Sequence, residues 1–326
     1  MSRNVLVTGG AGFLGSHFTK NALSRGWDVT VVDNFSTCNV DNLDNELHNA
    51  HLKIIRRDIC DPLPREISET PFDLIVNLAS PASPPRYQRL AEETLRVGTV
   101  GVMNMVTLAR KHKAQLFHAS TSEVYGDPTE GHHPQTEDYW GNVNSYGERS
   151  CYDESKRAAE AILWSARHPH ASSNLSQVDT NIVRIFNTYG PHMDPEDGRV
   201  VSNFIMQALR GDDITIYGTG EQTRSFCYVD DLIRGFMAMI DKHVEGPVNL
   251  GNPGEFSMLE LAKKVIHLTK SSSQIVFQPL PADDPSQRRP NIAKAHSLLE
   301  WTPSVDLEEG LTRTIAYFST LIDKTK

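Results

Sequence analysis

Tyr152 and Lys156 stand four residues apart in Tyr152-Asp153-Glu154-Ser155-Lys156. On a helix that spacing puts both side chains on one face, so an ammonium can sit beside a phenol. A nearby positive charge favours the phenolate and draws the tyrosine pKa from about 10 toward working pH. Tyr152 is thereby a candidate general base and Lys156 its support. An amphipathic helix yields the same pair with no chemistry attached, so two further features decide the reading. Ala119-Ser120-Thr121-Ser122-Glu123 closes a β-rich run with hydroxyls and a carboxylate. Val5-Leu6-Val7-Thr8-Gly9-Gly10-Ala11-Gly12-Phe13-Leu14-Gly15 sets glycines between an apolar strand and a helix.

Such a turn lets backbone N–H groups approach a pyrophosphate, and the helix dipole favours its negative charge. Gly10, Gly12 and Gly15 fit G-x-G-x-x-G, while Gly9, Gly12 and Gly15 fit G-x-x-G-x-x-G; both registers stay open. Asp33 closes the second predicted strand, where a carboxylate accepts both adenosine-ribose hydroxyls and repels the extra phosphate of NADP. The expected cofactor is NAD. Phe13, Leu14, Asn34, Asp58, Ile59, Leu78, Ala79 and Ser80 complete its expected site, with Tyr152 and Lys156 at the reacting end.

The elements that must position these residues alternate between short β-rich runs and longer helical patterns, the mark of a parallel sheet covered on both faces. Strands are predicted at Asn4–Thr8, Asp28–Val32, Lys53–Arg57, Leu74–Leu78, Gln115–Ala119 and Asn181–Phe186. Beyond Asn187 the pattern predicts a helix near Val200–Leu209, a strand at Ile214–Tyr217, a helix over Tyr228–Ile240 and a strand at Pro247–Leu250. Amphipathic helices follow near Ser257–Thr269, Ile292–Leu299 and Leu307–Leu321, with the Pro-rich segment Gln278–Pro290 between the first two. The fold class is α/β: a Rossmann-like doubly wound parallel sheet with a smaller, interleaved α/β substrate-binding domain. The dinucleotide domain is expected over 1–186 and 226–250, and the substrate domain over 187–225 and 251–326.

A chain of 326 residues, 39% hydrophobic and 22% charged, can bury a large core. Its net charge of -9 and pI near 5.8 argue against general nucleic-acid binding, which needs a dominant basic face. Cys38, Cys60, Cys151 and Cys227 are scattered without a C-x-x-C pair, the usage of reduced thiols and of neither a disulfide framework nor a zinc site. Val5-Leu6-Val7 follows so closely on Met1 that no signal peptide is expected, and no apolar run reaches membrane-spanning length. A cytoplasmic protein with no membrane partner is expected.

The glycine turn, the strand-end hydroxyls and Y-x-x-x-K together resemble the extended short-chain dehydrogenase/reductase family over essentially the whole chain. That resemblance implies that Tyr152 takes a proton from a sugar hydroxyl while hydride passes to the nicotinamide. It gives Lys156 the support of the phenolate and Thr121 the steadying of the reacting oxygen. Dehydratases of this superfamily carry T-D-E at the strand end. Ser122 replaces the acid here and cannot donate a proton in its place at neutral pH, which disfavours dehydration.

Longer strings resemble the UDP-glucuronate decarboxylases in particular. They are Leu78-Ala79-Ser80-Pro81-Ala82-Ser83-Pro84-Pro85, Asp138-Tyr139-Trp140-Gly141-Asn142-Val143-Asn144 and Gly147-Glu148-Arg149-Ser150-Cys151-Tyr152-Asp153-Glu154. Strings such as Arg184-Ile185-Phe186-Asn187-Thr188-Tyr189-Gly190-Pro191 and Gln222-Thr223-Arg224 are shared more widely with nucleotide-sugar epimerases. The resemblance implies a UDP-sugar substrate contacted by Asn187, Val201, Asn203, Ile216, Tyr217 and Arg288, with Arg224 beside the diphosphate or the sugar carboxylate. Ser83 and Tyr87 are expected to orient that carboxylate, and Glu123 and Arg224 to manage it and the C5 proton. A homodimer built on helices including the one bearing Tyr152 is also implied. The chain departs from the family at Val97-Gly98-Thr99, where Thr-Asn-Thr is common; the missing asparagine takes an amide from the cofactor half. A UDP-hexuronate 4-epimerase and a non-catalytic NAD or nucleotide-sugar sensor are the alternatives.

Overall fold

In the computed structural model, which describes residues 2–38, 40–129, 131–279 and 288–323, seven strands form one parallel sheet. They are β1 (Asn4–Thr8), β2 (Asp28–Asp33), β3 (Leu52–Arg56), β4 (Leu74–Asn77), β5 (Gln115–Thr121), β6 (Thr180–Ile185) and β7 (Val248–Leu250). Their order is β7-β6-β5-β4-β1-β2-β3, so the chain reverses direction across the sheet between β1 and β4. In open α/β sheets that reversal leaves a crevice beyond the carboxyl ends of the strands, where ligands bind. The fold is Rossmann-like, as the sequence pattern predicts.

Burial on both faces explains why the strands read as apolar runs and not as alternating ones. Val5 and Val7 point into one core with Phe18, Phe236, Leu261 and Phe318, while Leu6 points to the opposite face with Ile75, Met105 and Leu163. Around the sheet run α1 (Phe13–Ser24), α2 (Pro84–Arg89), α3 (Val102–His112), α4 (Ser150–Arg167), α5 (Val200–Arg210), α6 (Val229–Asp241), α7 (Met258–Thr269) and α8 (Leu307–Asp323). The first core is continuous from β1 to α8, so the segments that follow β6 are packed onto the sheet and held in register with its crevice.

Differences from the predicted elements are small and bear on the site. β5 runs two residues past Ala119, which places Thr121 on the last rung opposite Ile185 of β6. β2 includes Asp33. Three short pairings lie outside the main sheet, and of their six strands the sequence pattern predicts only Ile214–Tyr217. Thr188–Tyr189 pairs with Cys227–Tyr228, Thr223–Ser225 with Glu255–Ser257, and Ile214–Tyr217 with Ile275–Gln278. The other five strands, two to four residues long, are too short to show a period. Residues 280–287 of the Pro-rich segment Gln278–Pro290 lie outside the described residues.

Candidate active site

Gly9 follows β1 with φ +67°, and a Cβ there would lie 2.8 Å from the Ala79 backbone. Six residues on, a Cβ at Gly15 would come within 2.0 Å of the Gly9 carbonyl oxygen. Gly10 instead packs on the Val31 side chain of β2. The open choice of register therefore resolves to Gly9, Gly12 and Gly15. Helix α1 starts at Phe13 with no side-chain cap and no acidic residue in its first turn, which leaves its N-terminal N–H groups to an anion. Asp33 is buried beside this turn; it accepts the N–H groups of Ala11 at 3.1 Å and Phe35 at 2.9 Å, and burial pushes its carboxyl up. Asn34 donates to Asp58 at 2.9 Å, closing the same end of the crevice.

At the other end, Thr121 ends β5 and its hydroxyl accepts the Glu123 N–H at 3.3 Å, starting a 3-10 turn that carries Ser122 and Glu123. Helix α4 lies alongside and presents the buried Tyr152 phenol in hydrogen-bonding reach of Thr121. The Lys156 ammonium is 5.7 Å from the Tyr152 ring centre and donates to the Ala119 carbonyl at 2.8 Å. The pair is on one face as the spacing requires, but its electrostatics correct the sequence reading. Burial pushes the Tyr152 phenol up to about 12, Glu123 and Asp153 add to that, and Thr121 and Arg199 oppose it. Burial also brings the Lys156 ammonium down to about 8. The ammonium alone does not bring the phenol to working pH, because desolvation penalises both charged forms.

Glu123 is surrounded by cations. It pairs with Arg149, and Arg288 approaches it at 3.3 Å. Burial by itself would raise this carboxyl, yet Arg288, Arg149 and Arg224 hold it below its ordinary range. The buried Arg288 guanidinium also donates to the carbonyls of Ser122 and, at 3.2 Å, Gly126, so it braces the turn as well as the carboxylate. Tyr87 of α2 stacks flat on Tyr152, with ring centres 4.9 Å apart and planes within 8°. Its hydroxyl is buried with no hydrogen-bond partner among the described residues.

One cavity of about 1190 Å³ joins the two ends. Lining it are Gly9, Gly12, Phe13, Leu14, Gly15, Asp33, Asn34, Asp58, Ile59, Leu78, Ala79 and Ser80 on the dinucleotide side. Thr121, Ser122, Glu123, Tyr152 and Lys156 are at its centre. Ser83, Tyr87, Asn187, Val201, Asn203, Ile216, Tyr217, Arg224 and Arg288 lie toward the other end. Gly98 does not line it. It sits in a π-helical turn, Val97–Gly101, where a Cβ would meet the Ser155 Cβ of α4 at 2.6 Å. Glycine at this position makes room for Ser155, so the departure from the family pattern is a packing feature of α4.

The sequence profile of the NAD dependent epimerase/dehydratase family matches residues 5–251. The chain belongs to that family. Among its relatives, UDP-glucuronic acid decarboxylase 1 of Danio rerio is 48% identical over 317 residues, covering 97% of this chain and 73% of the relative. UDP-glucuronic acid decarboxylase 1 of Arabidopsis thaliana is 48% identical over 314 residues, 96% of this chain and 69% of the relative. Among solved structures, the UDP-glucuronic acid 4-epimerase of Bacillus cereus in complex with UDP-glucuronic acid and NAD superposes with a TM-score of 0.85 at 26% identity, over 98% of this chain and 99% of that one.

In this epimerase/dehydratase chain the glycine cradle, the uncapped helix and the Asp33 carboxylate fit a dinucleotide: methyls at Gly9 and Gly15 would collide with backbone, and one at Gly12 would crowd the Gly9 carbonyl oxygen at 3.3 Å. Sequence reasoning passed over Arg149 and Arg199. Arg149 stands inside a quoted string without a role, and Arg199, paired with Asp197, lines the cavity where its charge reaches Tyr152. Adjacency to Tyr152 in sequence was the one signal available for Arg149, since the two are three positions apart, less than a full helical turn.

Proposed function

We propose that the protein converts UDP-glucuronate to UDP-xylose and carbon dioxide, using NAD in preference to NADP and recycling it within each turnover. The observation that carries this reading is the 48% identity to UDP-glucuronic acid decarboxylases along 97% of the chain. The site chemistry agrees with it, since Glu123 and its arginines adjoin the Tyr152–Thr121 pair.

When bound, NAD would supply a reversible hydride acceptor for C4 of the sugar, held by the Gly9–Gly15 turn and Asp33 at one end and by Tyr152 and Lys156 at the other. Tyr152 takes the C4 hydroxyl proton, with the Thr121 hydroxyl steadying the same oxygen. The ketone so formed lies β to the C5 carboxylate, so carbon dioxide leaves and the electron pair of the broken C–C bond is delocalised onto the C4 oxygen. Tyr152 and Thr121 stabilise that enolate in a water-poor site, where hydrogen bonds to developing charge are worth most. Arg224, Arg288 and the buried Tyr87 hydroxyl orient the carboxylate before it departs; arginine suits this through its two-pronged donation. Glu123 governs the proton that C5 takes up. The Asp33 carboxylate at the end of β2 would repel the extra phosphate of NADP, which supports the preference for NAD.

Exposed Leu95, Val100, Met103 and Trp164 lie on α4 and the helices beside it, which supports a homodimer built on that face. Four free thiols agree with a cytoplasmic location. Incubating the purified protein with NAD and UDP-glucuronate and following the sugar by NMR tests the reading. A UDP-pentose appearing with carbon dioxide is expected. UDP-galacturonate would instead make it a 4-epimerase, and unchanged substrate a sensor.

A further inference from the structure

Three consecutive residues of α2 each grip a different partner. Pro85 packs against Gly198, where an added Cβ would sit 2.7 Å from the Pro85 ring. Arg86 forms an ion pair with Asp194. Tyr87 stacks on Tyr152. Two of the three contacts reach the segment that follows β6 in the sugar half, and the third reaches the catalytic phenol. Arg86 and Asp194 both line the cavity, and the Arg86 charge is felt at Cys38, beside Asp33. The same segment is tied to the glycine-turn side. Pro191 accepts from the His17 ring at 2.8 Å, and the His192 ring meets Lys20 at 2.9 Å and Asn42 at 3.2 Å.

We propose that Arg86 and Asp194 are a positioning pair: an ionic clamp that closes the two halves over the bound dinucleotide and holds Tyr87 against Tyr152. The inference rests on the reading that one cofactor gives and takes back its hydride in each turnover. Such a cycle fails whenever the reduced cofactor escapes, so a contact that ties two segments of the cavity lining together serves it directly. Neither residue touches the reacting atoms. Both side chains keep about a quarter of their surface exposed, 27% for Arg86 and 28% for Asp194, so solvent and salt weaken the pair without abolishing it.

The test is the rate at which bound NADH leaves the protein, followed by nucleotide fluorescence after a chase with excess NAD and with no sugar present. Arg86→Ala and Asp194→Ala should each release NADH about two- to fivefold faster than the parent, the range expected of a partly exposed ion pair. The exchanged pair Arg86→Asp with Asp194→Arg should return toward the parent rate. Added sodium chloride should speed release from the parent and leave Arg86→Ala nearly unchanged. Parent-like release from both alanine variants would overturn the clamp. So would an exchanged pair as leaky as the single variants, since the contact would then be one of shape and not of charge. Release needs no sugar, so failure of the clamp and failure of the decarboxylase reading show up in separate measurements.

Discussion

The cofactor end and the sugar end of the cleft are built by opposite means. At the cofactor end the working groups are backbone N–H donors, one uncapped helix and the carboxylate of Asp33, drawn from β1, α1 and β2. At the sugar end they are side-chain cations collected from four places: Arg149 before α4, Arg199 before α5, Arg224 on a three-residue strand, and Arg288 near the end of the Pro-rich segment. A backbone site depends on what is missing, since any added atom blocks it. A side-chain site depends on what is present and degrades by degrees as members are removed.

The sharpest way to break this contrast is Gly15→Ala. Its new methyl would fall 2.0 Å from the Gly9 carbonyl oxygen, so nucleotide binding and every later step should be lost, with a lower melting temperature. Nucleotide content after desalting, read by absorbance, checks this; a variant that still carries NAD would remove the backbone-cradle account. Next in size, Tyr152→Phe should keep NAD yet lower carbon dioxide formation by about 10²- to 10⁴-fold, the usual worth of a positioned acid–base group. Glu123→Gln should slow carbon dioxide release by about 10²-fold while slowing the first NAD reduction less. Single-turnover absorbance at the NADH band beside trapped carbon dioxide separates the two steps, and equal losses would contradict the role given to Glu123.

The smallest effect concerns Asp153, whose carboxyl burial and the neighbouring Glu123 push up to about 7, against the opposing charges of Arg149 and Arg288. A carboxyl with a raised folded pKa contributes stability below its ordinary value of 3.8 and loses that contribution as pH rises through 7. The parent's melting temperature should therefore carry a downward component between pH 4 and 7, and Asp153→Asn should flatten it. An unchanged slope would mean that the charge of Asp153 is compensated in the folded protein.

Much of the cofactor end was legible because its parts are contiguous. Gly9 to Gly15 and Asp33 announce strand, turn, helix and strand end in a single stretch, and only the choice between Gly9 and Gly10 needed the packing of Val31 to decide it. The Tyr152–Lys156 pair was legible for the same reason. Its electrostatics were not, because spacing reports distance and says nothing of desolvation, the larger influence on both groups. Gly98 likewise read as a lost amide until Ser155 was seen filling its place.

The sequence by itself determined the parallel sheet, the dinucleotide turn and the helix that offers a phenol and an ammonium on one face, since all three are set by periodicity and near neighbours. Tertiary structure alone decided which arginines gather around Glu123, that Tyr87 lies flat on Tyr152, and that Arg86 reaches Asp194 across the cleft. Those contacts join residues far apart in the chain, and their strength comes from burial and from mutual charge. Both arise only once the segments after β6 have packed onto the sheet.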